Sequence, residues 1–561
     1  MYDNNANAAD VASIDGVGTQ ADNDTVMDSS TTINDTIESS ESQGISKKIS
    51  DEAPAISLKV NAHRMVKDLG INIERYSCDD KGAGRLFADV FKSTLRYNAT
   101  AKSWYYYNGC VWKQDNGGLN ASYCAKELSD VMEIYALMPS RLGLNASFDE
   151  RIEYAEQLKL YKHVRNLCNT QGKRNMINEA RDMFPITHED FDKNLSLYNC
   201  QNGTLDLDTL EFCEHNASDL LSKTSNVRYD PNAKSPDWEK FIGEVMCGDA
   251  EKARYLQKWC GYALTADTKL ESCIILYGST TRNGKSTFIE TLSHMHGNTD
   301  GYSMNIQPES LAKKQNKDSR QTSGDIARLD GCRFLHAAEP PKKMLFDVQL
   351  LKQLLGRDKI TARHLYQNEF EFIPLFKLFI NTNYLPLVTD DTLFSSGRLN
   401  VVTFDRHFRH DEQDKGLKDK LKTIENISGI FNWCLDGLCL YRDEGLFPPQ
   451  SVIDATDEYR QDSDKISNFF KDCMQQSSFN SKMSDVYSRF VDWCRENGYG
   501  VENKGNFIDE IKTKSYYAKS GTVDGKSYKN VIKGYTVAPP VYLANALSQQ
   551  ANNSINITET V

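Results

Sequence analysis

The chain has no run of eighteen apolar residues, which excludes a membrane-spanning helix on the usual length criterion. Its 14 cysteines include no C-x-x-C pair, and the closest two, Cys434 and Cys439, fit core positions on a helix. A zinc ribbon is therefore not expected, and the cysteine usage suits a reducing cytoplasm. In that compartment N-x-[ST] triplets such as Asn98-Ala99-Thr100 are not glycan acceptors. The acidic, Asn-rich start lacks the basic and apolar regions of a secretory signal. An excess of positive charge is missing too, since the formal net charge is −12. That total is unevenly placed: residues 1–60 hold eleven Asp/Glu against three Lys, net −8, leaving −4 for the other 501 residues. An acidic sum of this kind does not exclude a nucleic-acid partner. Few apolar residues and many Ser, Thr, Asn and Asp predict a disordered segment over 1–60, either a solvated tail or a binder of some partner.

What is present is most informative at residues 273–288, CIILYGSTTRNGKSTF. A short apolar run ends in a Gly/Ser/Thr loop, and Gly284-Lys285-Ser286-Thr287 opens a helix. Strand, loop and helix in that order make a phosphate cradle: loop amides and the helix N-terminus face the anion, Lys285 reaches the β/γ oxygens, and the Ser286 hydroxyl ligates Mg²⁺. Counted from Gly278 the loop is one residue longer than G-x-x-x-x-G-K-[ST]; counted from Ser279 the spacing fits with Ser in the first position. Ser279, Thr280, Thr281, Arg282, Asn283, Gly284, Lys285, Ser286 and Thr287 are thus the expected nucleoside-triphosphate cradle.

The 561 residues leave room for three or four domains. The spacing of 84–98 predicts a helix; 103–115 reads as a hairpin around Asn108-Gly109, and 197–212 as a strand, an Asn-Gly turn and a strand. The aromatic stretch 103–107 with Lys102 and Lys113 reads as a half-buried strand face or a base-stacking surface. Residues 150–183 predict a charged helical pair, 254–265 a helix leading to the loop, and 413–446 further helices. Residues 464–535 predict a small α/β unit ending in a basic, Gly-punctuated hairpin, followed by a frayed end.

The loop's expected partners lie downstream. RFLHAAEPP (333–341) is a strand ending in Glu339, either a solvated charge or the acid that activates water and helps hold Mg²⁺. Position 338 is Ala, so a second adjacent carboxylate is absent and metal holding rests mainly on Ser286 and phosphate oxygens. FKLFINTNYLP (376–386) presents Asn383 at a strand end, where an amide can orient water or sense the γ-phosphate, with Asn381 expected to point elsewhere. Arg398 precedes another strand and reads either as an in-domain salt bridge or as an arginine finger for a neighbouring subunit. Residues 357–374 predict a hairpin around Gln367-Asn368-Glu369, with Lys359, Arg363 and His364 on one arm. It is an edge hairpin with solvated charges or a grip on a sugar-phosphate backbone.

Taken in order, LYGSTTRNGKST, RFLHAAEP, LLKQLLGRDKITARHLYQNEFEF, FINTNYLP and the Arg of SSGRLNVVTFD resemble superfamily 3 helicases of the phage and plasmid primase-helicase type. Upstream, YNCQNGTLDLDT, VRYDPNA and YLQKWCGYALT resemble the poxvirus-type collar domain of such proteins. GIFNWCLDGLCLYRDEG resembles their lid helices, and MSDVYSRFVDWCRENG their winged-helix end. The resemblance spans about residues 60–535. It implies an α/β fold: an AAA+ P-loop ATPase core with a parallel sheet at 247–410, after an α+β collar at 61–246. A helical lid at 411–462 and a winged-helix-like domain at 463–537 would follow, with tails at 1–60 and 538–561.

It further implies ATP and Mg²⁺ as cofactors and a homo-hexameric ring that moves on single-stranded DNA and unwinds forks. Glu339 would be general base and metal ligand, Asn383 the sensor, and Arg398 the finger. Lys359, Arg363 and His364 would contact DNA. The alternative is an ATP-switched initiator or helicase loader. The expected setting is the cytoplasm, bacterial if the chain is phage- or element-encoded, with no membrane partner. No convincing pair of primer-synthesis acids is found, so a separate primase, polymerase or origin-binding protein is an expected partner. Seven lysines between 500 and 534 against four acids give the last domain a local +3, consistent with duplex contact or with protein docking.

Overall fold

The computed structural model describes residues 60–298, 300–313, 324–363, 369–497 and 499–538. At its centre is a five-stranded parallel sheet. Across it run Leu399–Thr403, Cys273–Tyr277, Lys377–Thr382, Phe334–Ala338 and Ser303–Asn305. A parallel sheet must be covered on both faces, and these strands alternate between two cores. Ile274, Leu276, Phe334, Phe379 and Val402 face one cluster, while Ile275, Leu335, Leu378, Ile380 and Val401 face the other. Full burial of Ile274, Ile275 and Leu276 contributes about 1.5–3 kcal/mol each. The expected mixed α/β fold with a parallel central sheet is what the chain forms.

Helices Pro236–Val245, Ala250–Leu264, Lys285–His296 and Ile424–Glu444 pack on the first face. Ala250–Leu264 and Ile424–Glu444 approach closely because each presents a glycine. A Cβ on Gly261 would stand 2.1 Å from Leu438 N, and one on Gly437 2.1 Å from Gln257 O.

Residues 62–184 build a separate core around Leu86, Phe87, Trp104 and Leu128. The hairpin expected around Asn108-Gly109 is present as Ser103–Tyr107 paired with Trp112–Gln114. Trp104 and Tyr106 are buried, so the strand is half-buried. The expected helix over 84–98 stops early. Asp80–Phe91 is helical, and Leu95–Asn98 pairs with Ser103–Tyr107 as a strand, because ladder bonds and a buried Leu95 outweigh helical spacing there. Helices Phe148–Leu167 and Thr170–Glu179 form the charged pair. All 14 cysteines are free thiols, and among the described residues no helix is long and apolar enough to cross a membrane. The expectations for 1–59 and 539–561 lie outside the described residues.

Candidate active site

Because the strands are parallel and in register, their C-terminal ends share one edge. Asn381 lies beside both Leu276 and Ala338, and Thr382 beside Tyr277. The phosphate-loop candidate, Glu339 and Asn383 therefore converge although they lie a hundred residues apart.

The loop runs from Gly278 to Gly284, where helix Lys285–His296 begins. Gly284 has φ +87°, and a Cβ there would stand 2.5 Å from Val245 Cγ1 and 3.1 Å from a Phe241 ring carbon. Gly284→Ala is expected to lower stability by about 1–3 kcal/mol, checked by thermal unfolding, with a matching loss of nucleotide affinity. Gly278 has different grounds: its own Cβ would fall 2.1 Å from Asn283 Nδ2. Asn283 is buried and acts as an internal strut, donating to Thr280 O at 2.7 Å while accepting from Lys285.

The segment after Leu399–Thr403 braces the loop from outside. Phe408 N–H donates to Arg282 O at 2.9 Å, and His407 Nδ1 bonds Thr281 O at 2.8 Å. Lys252, buried, reaches Asp405 and Thr403 at 3.3 Å each and fixes the start of that brace. Sequence reasoning missed these braces; their one signal was position, just past the strand beside the loop. The Thr280, Thr281 and Arg282 carbonyls are thus taken, but among the described residues the N–H groups of 279–284 donate to nothing in the chain. Unclaimed amides at a helix start form an anion nest. Ser279, Thr280, Thr281, Arg282 and Ser286 are exposed beside it, and Thr287 is half-buried.

Lys285 is buried, and Nζ donates to Asn383 Oδ1 at 2.8 Å, Asn283 Oδ1 at 3.0 Å and Gly278 O at 3.2 Å. Burial pushes the ammonium down to about 8, against the opposing pull of the nearby Glu339 carboxylate. Three neutral acceptors hold the amine in place without neutralising it, which leaves its charge for an incoming anion. Asn383 thus faces the loop, while Asn381 is buried with Oδ1 unpartnered. Glu339 follows the strand directly with φ +54°, its N–H donating to Asn381 O at 2.9 Å and its side chain exposed. A left-handed backbone at a non-Gly residue costs about 1–3 kcal/mol, a strain that clusters at functional sites.

The donor set suits Mg²⁺. The Ser286 hydroxyl and the Glu339 carboxylate are hard oxygens, and among the described residues no cluster of three metal-ligating side chains exists. An ion held by so few protein groups takes its remaining ligands from phosphate and water, as Mg²⁺ does.

Arg398 and the hairpin lie elsewhere. Arg398 precedes Leu399, which pairs with Cys273 at the N-terminal edge of the sheet, roughly 16 Å of strand from the loop. It is ion-paired with Glu271 and half-buried, so it does not serve its own chain's loop. The expected hairpin is formed by Ile360–Arg363 and Glu369–Phe372, with Arg363 opposite Glu369. Lys359 pairs with Glu371 at 3.5 Å, so the arms balance their charges. His364 lies outside the described residues. A groove of about 1130 Å³ also lies away from the loop, between residues 188–196 and the N-terminal strand edge near Thr265 and Leu375.

Residues 84–247 match the D5 N terminal like family, and 276–398 match the family of unknown function DUF5906. The second match begins within the loop strand and spans the loop, Glu339, Asn383 and Arg398. A protein named as a candidate helicase, L207/L206 of Acanthamoeba polyphaga mimivirus, is 26% identical over 376 residues, covering 63% of this chain and 38% of that protein. One named likewise, 121R of Invertebrate iridescent virus 3, is 23% identical over 371 residues, covering 58% and 38%. The chain spans less than two fifths of the length of these relatives. Among solved structures, the apo NrS-1 C terminal region aligns at 12% identity and a TM-score of 0.42, over 78% of this chain and 96% of that one.

Proposed function

We propose that this chain, which belongs to the superfamily 3 helicases of the phage and plasmid primase-helicase type, is an ATP-dependent DNA helicase that works as a homo-hexameric ring. The observation that carries this reading is the convergence of unclaimed loop amides, the Lys285 ammonium, Asn383 and Glu339 on one sheet edge. The strand order supports an AAA+ type of core.

Each residue has a role set by its position. Loop amides 279–284 and Lys285 bind the β/γ-phosphates, which displace the three neutral acceptors of Nζ. Bound Mg²⁺ would be held by Ser286 and, through water, by Glu339, and would neutralise charge on the phosphate oxygens. Glu339 takes a proton from the attacking water, and Asn383, released from Lys285, orients that water or registers the γ-phosphate. Arg398 would reach a neighbouring protomer's nucleotide only after leaving Glu271. The hairpin arm with Lys359, Arg363 and His364 would contact single-stranded DNA. Its partners would be single-stranded and forked DNA with a separate primase, polymerase or origin-binding protein, in the cytoplasm of the host cell.

Strand displacement on a labelled fork tests the reading. Wild type is expected to unwind with ATP, and Arg363→Ala to unwind poorly while still hydrolysing ATP. ATP-dependent DNA binding without unwinding would favour an initiator or loader instead. Arg398→Ala is expected to bind ATP normally but lose hydrolysis, and to regain it when mixed with Lys285→Ala subunits. Full hydrolysis by Arg398→Ala alone would remove the finger role.

A further inference from the structure

Helix Phe148–Leu167 projects from the 62–184 core instead of lying on it. Only Val164 and Leu167 are buried, and none of residues 147–157 is. About three turns therefore stand clear of the domain. The capping box of Ser147 and Glu150 closes the helix start, but a cap contributes only about 1 kcal/mol. Helices in proteins are held mainly by packing of an apolar face. Here that face exists and is bare. Phe148, Ile152 and Ala155, at i, i+4 and i+7, share one side of the helix and are all exposed. Leu137, Met138 and Leu144 are exposed in the segment leading into it, Leu144 fully. Apolar exposure this concentrated marks a surface that another chain covers.

The charges on the helix identify that chain. Residues 148–156 carry Asp149, Glu150, Glu153 and Glu156 against Arg151, a net −3. Residues 157–167 carry Lys159, Lys162 and Arg165 and no acid, a net +3 with His163 counted neutral. Compensation of the helix dipole explains charges in the first and last turns, such as Asp149 and Arg165. It does not explain Glu153, Glu156, Lys159 and Lys162 in the middle. Among the described residues Glu156, Lys159 and Lys162 have no ion-pair partner, and Glu153 accepts from Gln157 at 3.1 Å. The segment 140–146 also stands off the helix, leaving a groove of about 660 Å³ with Glu150 and Glu153 on its wall. A helix acidic in one half and basic in the other is complementary to its own reversed copy. Side by side in parallel, it repels itself.

We propose that this helix is a self-association arm, through which two copies of the chain pair antiparallel about a two-fold axis near Gln157. Lys159 then lies opposite Ala155 and Lys162 opposite Ile152. Their stems cover the apolar side while their amines reach the other copy's acidic half. The same patch serves both copies, so the contact differs from the head-to-tail seam of a ring, and it does not depend on the helicase reading.

Sedimentation of the full chain without nucleotide, over a concentration series, tests the pairing. Wild type is expected to show a monomer–dimer equilibrium. Glu153→Lys/Glu156→Lys leaves the helix no acidic half, and Lys159→Glu/Lys162→Glu leaves it no basic half. Each pair of changes should raise the dimer Kd at least about 100-fold, because like charges then face each other. An equimolar mixture of the two variants is expected to associate again, a rescue that misfolding could not give. Phe148→Ser/Ile152→Ser should loosen the dimer without lowering the unfolding temperature, since both side chains are exposed. A chain monomeric at every concentration, or a mixture as weak as either variant alone, overturns the proposal. Loss of ATPase together with the dimer in both charge variants also overturns it, by placing the helix in a ring seam. The expected dimer in a chain without ATPase would instead sink the helicase reading and leave this one standing.

Discussion

Lys285→Ala is expected to reduce ATP hydrolysis by about 10²- to 10³-fold and to weaken triphosphate binding, measured by steady-state ATPase and by equilibrium binding of a fluorescent ATP analogue. The amine sits where Gly278 O, Asn283 Oδ1 and Asn383 Oδ1 meet, so alanine removes the charge and leaves three acceptors facing one another. A pH dependence follows from the same burial. In the free protein the ammonium is held down to about 8, whereas a bound triphosphate favours the charged form. Below pH 8 the site is already charged and affinity is flat. Above pH 8 binding must draw a proton from solution, so affinity falls toward tenfold per pH unit. Calorimetry in buffers of different ionisation heat should show proton uptake at pH 9 and little at pH 7. Equal uptake at both would remove Lys285 as the titrating group.

Glu339→Gln separates binding from chemistry. The side chain is exposed at the strand end and makes no bond that fixes the loop, so the amide should leave fold and nucleotide affinity intact. Hydrolysis is expected to fall by about 10²- to 10⁴-fold, the usual contribution of a general base. Single-turnover kinetics with pre-bound ATP would show slow cleavage with normal occupancy. Retained cleavage would return Glu339 to a solvated charge. The backbone supplies a control: Glu339→Gly relieves the +54° φ without a carboxylate, so a more stable yet inactive variant would show that the strain is tolerated for the carboxylate's placement.

Motifs whose chemistry is local were legible. The loop and its helix and the Asn-Gly hairpin at 103–114 appear where turn chemistry and alternation put them. The arms at 360–363 and 369–372 pair as alternation predicts, but Glu369, expected in the turn, lies in the strand opposite Arg363, and 364–368 lie outside the described residues. Readings that depend on partners from afar were not. Lys359, Arg363 and His364 look like a basic arm in one dimension, yet the return strand sets Glu371 and Glu369 against the first two. Asn283 counts as one more loop residue until its side chain is seen tying Thr280 to Lys285. Periodicity over 84–98 could not register that Leu95–Asn98 had a strand waiting at 103–107.

Local order was enough to say that a strand delivers the chain into a Gly/Ser/Thr turn that opens a helix and that acid and amide groups end later strands, because φ/ψ preferences and side-chain periodicity are properties of a few neighbours. Which of those strand ends meet was settled by packing: with Lys377–Thr382 inserted between Cys273–Tyr277 and Phe334–Ala338, Asn383 and Glu339 come to the loop while Arg398 is carried to the far edge. Register in a sheet buried on both faces is chosen by the whole core at once, and no short stretch of residues carries that information.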